Sequence, residues 1–334
     1  MIKKITILGA GAFGFAIAKM IGDNKSNHNI FLYDVNKEYI DNIKKTRKHP
    51  IFHSHVKLPE SVTATNSRTK SIKGADIVIL AIPSKYLREA IKSFKPYFKK
   101  GVIFLNLAKG LELKTNYRVS QIVEEELGSD FDHGMCVLAG GMIAKEVVLQ
   151  KPVCANLACE CRDCAKDIAK MFYTSYFRIE TTDDLLGVEL TGAFKNVVAI
   201  GAGIFDGMKF NESSKSAFIS AAAKEMQTLA IKIGARRETF GAGSQAWFGD
   251  LMTTCFGESR NREFGELIGR GIKVKDAIKS MEDNHKSVEG YLTTNDVYKL
   301  LKQYKVEAPL LTNVYKILYK NEPADDFVKH FIKH

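Results

Sequence analysis

The chain has 334 residues, of which 45% are hydrophobic and 26% charged, and its 49 Lys+Arg against 38 Asp+Glu give a formal net charge of +11. These values are typical of a globular protein of about two domains, and they exclude a disordered tail. Because the lysines are spread along the chain and are not grouped with aromatic residues, the charge favours phosphate-bearing ligands over nucleic acid, although a composition bias explains it equally well.

We expect no membrane span, because the most apolar run, residues 197–205, is far shorter than the ~20 residues that a spanning helix needs. The first residues also lack the small-residue cleavage site of a secretory signal. Six cysteines in a chain without such a signal predict reduced thiols and a cytoplasmic location.

The first half of the chain alternates short apolar runs with polar stretches suited to helices. The predicted strands are residues 4–8, 30–33, 77–82, 102–107, 136–139 and 153–157, and the predicted helices include residues 15–21, 36–48 and 85–98. Two of the runs, IVILAI and VIFLNL, are apolar almost throughout, as in strands that are covered on both faces. Strands that alternate with helices predict a parallel α/β sheet.

The second half contains no stretch that predicts a strand. Helical patterns cover residues 187–205, 216–234, 274–279, 294–305 and 312–319. Since the pattern changes between residues 183 and 190, we expect an α/β domain over residues 1–186 and an all-α domain over residues 187–334.

A glycine-rich turn, GAGAFG at residues 9–14, follows the first predicted strand and opens a helix. Asp34 lies 20 residues after Gly14, at the end of the second strand, which is the spacing of a dinucleotide-binding turn. In that motif Gly9 permits the tight turn, Gly11 lets a pyrophosphate approach the backbone, and Gly14 lets the helix pack closely on the strand. The helix N-terminus then offers N–H groups to the phosphates.

The carboxylate of Asp34 also bears on the choice of dinucleotide. A carboxylate accepts hydrogen bonds from the ribose hydroxyls of NAD and repels the 2′-phosphate of NADP, so we predict a preference for NAD(H). A glycine-containing turn in some other α/β protein is the alternative interpretation.

Two lysines stand at positions that suggest chemistry. Lys195 and Glu189 are the only charges in residues 185–205, and burial there would lower the pKa of the lysine toward the range useful for proton transfer. A structural lysine that reaches solvent or a carboxylate of the other domain is the alternative. Lys109 follows the strand at residues 102–107, whose carboxyl end faces the ligand crevice of a parallel sheet. An ordinary loop lysine is the alternative there.

The segment Ser-Arg-Asn-Arg at residues 259–262 is suited to a phosphate, because the planar fork of arginine matches phosphate oxygens and Ser and Asn add neutral donors. A polar helix start with Ser259 as its cap is the alternative. Upstream, Asp250 and Thr254 are four residues apart, which would place both side chains on one helical face.

Four cysteines, Cys154, Cys159, Cys161 and Cys164, are close together in the sequence, so a zinc site has to be considered. Their spacing is not that of two paired C-x-x-C motifs and no histidine is near, and we therefore predict no metal site. Small thiols pack well in a buried strand, which is the simpler interpretation. The closest grouping of histidines, at residues 49–55, has no recognisable metal motif.

Together these residues resemble the NAD(P)-dependent glycerol-3-phosphate dehydrogenase family over almost the whole chain. The matching blocks are GAGAFG at 9–14, LAKGLE at 107–112, AGGMIAKE at 139–146, ELTGAFKNVVAIGAGIFDGM at 189–208, GDLMTTCFGESRNREFG at 249–265 and VEGY at 288–291. The fourth and fifth blocks are the specific ones. The resemblance implies a dinucleotide-binding Rossmann domain over residues 1–186, an all-helical substrate-binding domain over residues 187–334, and an active site between them.

The resemblance also implies roles for individual residues. Lys195 matches the general acid/base, and Lys109 matches a lysine that contacts the substrate and helps to order the cofactor. The other catalytic positions are Asn196, Asp250 and Thr254, and the other substrate-binding positions are Gly140, Ser259, Arg260 and Asn261. The cofactor-binding positions, counting the glycine-rich turn, are Gly9, Gly11, Ala12, Phe13, Gly14, Asp34, Lys109, Ala144, Arg260 and Glu289.

Three departures from the family pattern matter. Residues 139–142 read Ala-Gly-Gly-Met where bacterial members usually have Ser-Gly-Pro-Thr/Ser, so Met142 replaces a hydroxyl expected near the substrate. Ala12 stands where Ser is common. Asp34 and Val35 replace a stretch that is often basic or contains His, which supports the preference for NAD.

The implied reaction is reversible hydride transfer between sn-glycerol 3-phosphate and NAD+, giving dihydroxyacetone phosphate and NADH and feeding glycerophospholipid synthesis. A related two-domain reductase of another keto acid, such as ketopantoate, and a non-catalytic NADH sensor are the alternatives. We expect a homodimer, the commonest arrangement of soluble oligomers, with a small phosphorylated substrate and no nucleic-acid partner.

Overall fold

The computed structural model describes residues 3–24, 28–112, 115–129, 131–284, 286–325, 327 and 331. The chain divides into two units, Met1–Val188 and Glu189–His334. The division falls after residue 188, whereas the sequence pattern predicts a domain boundary after residue 186.

The N-terminal unit is built on one eight-stranded sheet in the order β3-β2-β1-β4-β5-β6-β7-β8. All neighbouring strands are parallel except β6 and β7. The strands are β1 (Lys4–Leu8), β2 (Asn29–Tyr33), β3 (Val62–Thr65), β4 (Ile77–Leu80), β5 (Val102–Asn106), β6 (His133–Ala139), β7 (Val153–Cys159) and β8 (Phe177–Thr182). Because the connections reverse direction between β1 and β4, the crevice for a ligand lies at the carboxyl ends of these two strands.

Helices cover both faces of the sheet, as the apolar runs predict. They are α1 (Ala12–Asp23), α2 (Lys37–Thr46), α3 (Arg68–Ile72), α4 (Leu87–Phe94), α5 (Val119–Leu127), α6 (Ala144–Val148) and α7 (Arg162–Met171). Within β4, Ile77 and Ile79 belong to one apolar core while Val78 and Leu80 belong to the other. Alternate side chains of a strand point to opposite faces, so a continuous apolar run stabilises two layers of helices at once.

The antiparallel pair β6–β7 brings two cysteines together. Cys136 lies directly opposite Cys159 in the register, their Cα atoms are 4.4 Å apart, and a disulfide joins them. The prediction that the thiols are all reduced is therefore wrong for this pair. The physical reason is register, because the sequence does not show which residues of two strands face each other.

In its described residues the C-terminal unit has helices and no strand, and the first four residues of the helix that leads into it lie before the division. The helices are α8 (Leu185–Gly207), α9 (Glu212–Ile233), α10 (Asp250–Phe256), α11 (Arg260–Gly269), α12 (Val274–Asp283), α13 (Glu289–Gln303) and α14 (Pro309–Lys320). Residues Gln245–Gly249 form a π-helical turn immediately before α10. The all-α prediction for this half of the chain is confirmed.

Helix α8 is long and apolar enough to cross a membrane by length and composition alone. However, 94% of its most apolar stretch is buried inside the protein. A helix that is apolar on all sides and enclosed by other helices is typical of the centre of a large domain.

Helices α8 and α11 touch through four glycines, Gly203, Gly207, Gly265 and Gly269, which we call the glycine seam. A Cβ on Gly203 or Gly207 would overlap the α11 backbone, and a Cβ on Gly265 or Gly269 would overlap the α8 backbone. With hydrogen as the only side chain, the two backbones come into direct contact. The first turn of α11 is thereby held against the last third of α8, where the carbonyl of Arg262 meets Gly203.

Candidate active site

The glycine-rich turn connects β1 to α1 at the carboxyl end of the sheet. Gly9 has φ +107°, and a Cβ there would lie 2.6 Å from the carbonyl oxygen of Ala81, so only glycine fits. A Cβ on Gly14 would overlap the carbonyl oxygen of Gly9, which shows that α1 begins in backbone contact with the turn. At Gly11, by contrast, a Cβ would meet nothing within 4 Å. The N-terminal end of α1 is therefore open where a phosphate can approach backbone N–H groups.

Asp34 follows β2 and is fixed against the glycine-rich turn. One carboxylate oxygen accepts a hydrogen bond from the N–H of Ala10 at 2.6 Å, and the other accepts from the N–H of Asn36 at 2.8 Å. The residue is half-buried, and a carboxylate oxygen can accept more than one hydrogen bond. This position suits the hydroxyls of a ribose. Ala12 and Phe13 form the first turn of α1, and Phe13 packs partly against the core.

A histidine-containing segment packs against the same turn. His49 is fully buried, and its Nδ1 accepts hydrogen bonds from the N–H groups of Ile51 and Phe52 at 3.0 and 2.9 Å. The Nε2 of His53 lies 3.3 Å from the carbonyl oxygen of Ala12. Burial lowers the pKa of both imidazoles. No sequence motif indicates this contact, since 41 positions separate His53 from Ala12.

The loops after β5 and β6 are tied together by Lys109. Asn106 is 1% exposed, and its side-chain oxygen accepts from the N–H of Ala108 at 2.8 Å, which fixes the start of the first loop. The ammonium of Lys109 then donates to the carbonyl oxygen of Gly140 at 2.9 Å. Two predicted substrate-binding residues, Lys109 and Gly140, are thus in contact at the carboxyl end of the sheet.

An ion pair holds the far side of the loop that carries Lys109. Arg88 binds Glu112 in a two-point fork, with its Nε and Nη2 atoms 2.6 and 2.7 Å from the two carboxylate oxygens. This arginine lowers the pKa of Glu112. A two-point guanidinium–carboxylate pair restrains both position and orientation, so the loop has a defined path on either side of Lys109.

Met142 occupies a packing position and not a polar one. It is 7% exposed, belongs to one of the two apolar cores, and donates its N–H to the carbonyl oxygen of Gly140 at 2.8 Å. Ala144 begins α6 and packs partly against the same core. The hydroxyl that family members usually carry at position 142 is replaced here by apolar contacts.

In the C-terminal unit, Lys195 is buried in a polar cluster with Asp250 and Thr254. Its ammonium donates to a carboxylate oxygen of Asp250 at 2.6 Å and to the hydroxyl of Thr254 at 2.8 Å. The Thr254 hydroxyl in turn donates to the backbone carbonyl of Asp250 at 2.6 Å. Asp250 and Thr254 are separated by one turn of α10, as their spacing predicts. The carboxylate that Lys195 reaches lies within the same unit.

A neighbouring thiol shows how apolar this cluster is. Cys255 is fully buried, and burial raises the pKa of its thiol to about 12, although nearby Lys195 acts in the opposite direction. A neutral thiol beside the cluster adds no negative charge. Asp250, at 2.6 Å, supplies a negative charge beside the ammonium of Lys195.

Two buried asparagines lie near the cluster but make other bonds. The side-chain nitrogen of Asn196 donates to the carbonyl of Gly192 at 3.3 Å within α8. The side-chain oxygen of Asn261 accepts from the N–H of Gly290 at 2.9 Å. A Cβ on Gly290 would lie 2.9 Å from the carbonyl oxygen of Asn196, so α8, α11 and α13 converge at this glycine.

The predicted phosphate anchor lies at the start of α11. Ser259 caps this helix, and its hydroxyl accepts from the N–H of Arg262 at 3.4 Å, so the capping alternative is correct for that side chain. Arg260 is exposed and donates to the hydroxyl of Ser287 at 3.0 Å. Glu289, the first residue of α13, is half-buried. An exposed guanidinium with one neutral partner is well suited to meet an anion.

Sequence reasoning missed a second charge cluster. Asp206, near the end of α8, accepts from Lys215 at 2.7 Å with one oxygen and from Arg262 at 2.7 Å with the other. Arg262 is thus committed to a structural partner, while Arg260 from the same segment faces solvent. Asp206 and both arginines stand in the blocks at 189–208 and 249–265, but helix packing decides which arginine pairs with Asp206.

Within the described residues, no group of three or more His, Cys, Asp or Glu side chains could hold a metal ion.

Comparison with known proteins gives consistent matches over the whole chain. Family models described as the N-terminus and the C-terminus of NAD-dependent glycerol-3-phosphate dehydrogenase match residues 4–165 and 184–329. The NAD(P)+ glycerol-3-phosphate dehydrogenase of Bacillus pumilus is 34% identical over 328 residues, which are 98% of this chain and 93% of the relative. That of Staphylococcus carnosus is 34% identical over 329 residues, which are 98% of this chain and 97% of the relative.

A solved structure agrees with these matches. The crystal structure of a glycerol-3-phosphate dehydrogenase from Coxiella burnetii superposes with a TM-score of 0.90 at 28% sequence identity. The superposition covers 100% of this chain and 99% of that one. The Rossmann-type N-terminal domain and the helical C-terminal domain are thus a shared architecture.

Proposed function

Because the chain belongs to the NAD-dependent glycerol-3-phosphate dehydrogenase family, its reaction is the NAD(P)-dependent oxidation of sn-glycerol 3-phosphate and its reverse, and we propose which residues carry out each part. The observation that carries the proposal is the buried cluster of Lys195, Asp250 and Thr254. The alternative of a ketopantoate-type reductase is not favoured, because both family models describe glycerol-3-phosphate dehydrogenase.

The residues of the glycine-rich turn fit a dinucleotide. The space over Gly11 admits a pyrophosphate to the N-terminus of α1, and the carboxylate of Asp34 stands at the end of β2, where a ribose hydroxyl is bound in such folds. We infer that NADH is preferred over NADPH. What supports this is the charge of Asp34, which would repel a 2′-phosphate at the same place.

Lys195 is the proposed general acid and base. A dinucleotide held at the glycine-rich turn would supply hydride transfer at C2 of the substrate. In the oxidation Lys195 takes the proton of the C2 hydroxyl, and in the reduction it returns a proton to that oxygen. Asp250 and Thr254 hold the Lys195 nitrogen in one place through bonds of 2.6 and 2.8 Å, so the proton is delivered from a fixed point.

Arg260 is the proposed anchor for the substrate phosphate, together with Ser259 and Asn261. Support comes from its exposure, its single neutral partner Ser287 in the described contacts, and its place at the N-terminus of the ten-residue helix α11. A bidentate arginine holds a phosphate in both position and orientation. Binding energy gained at the remote phosphate keeps C2 in register for the reaction.

The remaining assignments stay predictions. Lys109, Gly140 and Ala144 lie on loops and a helix at the carboxyl ends of β5 and β6, where ligands bind in open α/β sheets. Asn196 is next to Lys195 in the sequence, and we propose that its amide stabilises charge on the C2 oxygen. We propose that the carboxylate of Glu289 contacts the bound cofactor.

The proposal is tested by following NADH oxidation with dihydroxyacetone phosphate, beside NADPH and beside unphosphorylated dihydroxyacetone. We expect rapid turnover that requires the phosphate and favours NADH. Turnover without the phosphate would remove Arg260 from its role, and equal efficiency with NADPH would remove Asp34 from its role.

A supply of glycerol phosphate for glycerophospholipid synthesis, a cytoplasmic location and a homodimer belong to the same proposal. The burial of the apolar stretch of α8 supports a chain that does not span a membrane. Sedimentation equilibrium of the purified protein measures its oligomeric state, and a mass near 37.3 kDa at all concentrations would rule out the dimer.

A further inference from the structure

Outside the proposed active site, the N-terminal unit presents two free cysteines at the start of α7. Cys161 is the N-cap of this ten-residue helix and Cys164 lies in its first turn, so the segment reads Cys-Arg-Asp-Cys. The sulfur of Cys161 accepts a hydrogen bond from the N–H of Cys164 at 3.2 Å. The two side chains are therefore held within one helical turn of each other.

The two thiols differ in exposure and in acidity. Cys161 is exposed, whereas Cys164 is half-buried and packs against an apolar core of the sheet. A hydrogen bond from the Cys164 thiol, with backbone N–H groups of Cys164 and Asp163, lowers the pKa of Cys161. Burial raises the pKa of Cys164 to about 12. One sulfur is thus accessible and prone to ionise, and the other is sheltered and protonated.

A C-x-x-C pair at a helix N-terminus is a known redox arrangement, because the helix end stabilises one thiolate and a second thiol lies within reach. Metal binding is the other common role of a pair of cysteines. Within the described residues, however, no third His, Cys, Asp or Glu completes a metal site. The nearby Cys136 and Cys159 are buried and already joined to each other.

We propose that Cys161 and Cys164 form a redox-active dithiol whose reaction partner is a low-molecular-weight disulfide. The Cys161 thiolate attacks one sulfur of that disulfide, the sulfur–sulfur bond breaks, and one thiolate leaves. Cys164 then loses its proton to solvent and attacks the sulfur of Cys161, which releases the second thiolate. The two protein thiols are oxidised to one disulfide, and the small disulfide is reduced to two thiols.

The test uses the intact protein and oxidised glutathione as the probe. After incubation and digestion with trypsin without reductant, cleavage after Arg162 separates the two cysteines. We expect the fragment that ends at Arg162 to remain joined to the fragment that begins at Asp163, with no glutathione attached. Because the first fragment also contains Cys154 and Cys159, tandem mass spectrometry has to assign the bond to Cys161. A lasting glutathione adduct on Cys161 of the unaltered protein would overturn the proposal, as would attack at Cys154 or Cys255 before Cys161.

Matched variants separate the two roles. Cys164→Ser should stop at the glutathione adduct of Cys161, because the resolving thiol is gone. Cys161→Ser should give neither adduct nor joined fragments, and Cys154→Ser, the control, should behave as the unaltered chain does. Should a variant fail to fold, the rate of iodoacetamide alkylation at each cysteine of the unaltered chain tests which thiol attacks first. The proposal requires Cys161 to react first, and it fails if Cys164 does.

Discussion

The ammonium of Lys195 lies 2.6 Å from a carboxylate oxygen of Asp250, although 55 positions separate the two residues in the chain. Both side chains are almost completely buried, at 8% and 2% exposed. A buried charge is strongly destabilising when its partner is removed, so each residue of this pair depends on the other for its place in the fold.

Replacing Lys195 with alanine should lower kcat by about 10²–10⁴-fold, because the proton of the C2 hydroxyl then has no acceptor. Binding of NADH, measured by fluorescence titration, should be nearly unchanged. Exposed Lys224 offers a matched control, since Lys224→Ala should leave kcat as it is. Near-normal turnover of Lys195→Ala would remove this residue from the chemistry.

The same substitution leaves Asp250 buried without its ammonium partner, so loss of activity and loss of folding have to be separated. Lys195→Ala with Asp250→Asn should recover part of the melting temperature that Lys195→Ala loses, because the uncompensated charge is gone. It should recover none of the turnover. Recovery of both would mean that Lys195 serves the fold only.

Replacing Arg260 with lysine should raise the KM for dihydroxyacetone phosphate more than it lowers kcat, because a point charge replaces a planar two-point donor. Arg270→Lys is the matched control, as Arg270 is also exposed and bonds Glu266 on its own helix. Steady-state kinetics over a range of substrate concentrations measures both constants. An unchanged KM would place the phosphate site elsewhere.

Replacing Asp34 with alanine should narrow the difference in kcat/KM between NADH and NADPH, since the charge that repels the 2′-phosphate is removed. The comparison variant is Asp41→Ala on the exposed face of α2, which should not alter the ratio. If the ratio for Asp34→Ala also stays the same, Asp34 does not select the cofactor.

Two glycines of one turn should respond differently to alanine. At Gly14 a Cβ would overlap the carbonyl oxygen of Gly9, so Gly14→Ala should destabilise the fold by about 1–3 kcal/mol. At Gly11 a Cβ has room, so Gly11→Ala should keep its melting temperature and lose affinity for NADH. Equal NADH affinity in Gly11→Ala and the unaltered protein would contradict binding at this turn.

The free energy of unfolding should fall in mild acid because of His49. Burial lowers its pKa, so the unfolded chain binds a proton below its ordinary pKa of about 6.5 while the folded protein does not. Stability from this group is therefore complete above pH ~6.5 and is lost as the pH falls below it.

Urea denaturation at about pH 7.5 and about pH 5 measures this loss. His49→Asn keeps a side-chain oxygen that can accept from the N–H groups of Ile51 and Phe52, but it does not titrate. Between the two pH values it should therefore lose less stability than the unaltered chain. Exposed His55 provides the control, because His55→Asn should lose as much free energy of unfolding between the two pH values as the unaltered chain does. Equal losses in all three proteins would contradict the role of His49.

The sequence predicted the parts of the fold that have a strong local pattern. Continuous apolar runs predicted six of the strands, and glycine spacing with Asp34 predicted the dinucleotide turn. It missed β3 and β8, which are the two edge strands of the sheet. The burial of β8 along its length is partial, so it carries no continuous apolar run. Helices α10 and α11 carry no regular apolar pattern, and the sequence indicated them only through the spacing of Asp250 and Thr254 and the capping residue Ser259.

For the candidate site, the sequence predicts single residues but not the contacts between them. The spacing of Asp250 and Thr254 predicts one helical face, and resemblance to the family adds Lys195, but no pattern in the chain shows that they bond each other. The disulfide between Cys136 and Cys159 and the pairing of Asp206 with Arg262 depend on register and helix packing in the same way. Such long-range contacts are decided by tertiary structure alone.

The glycine seam has a consequence for substrate size. Lys195 belongs to α8 and Arg260 opens α11, and these helices meet through bare backbone. At the seam there is no side chain whose rotamer could change the spacing of the two backbones. If Lys195 and Arg260 bind the two ends of the substrate as proposed, the seam fixes the separation of the backbones that carry them, and a longer molecule has to be accommodated by these two side chains.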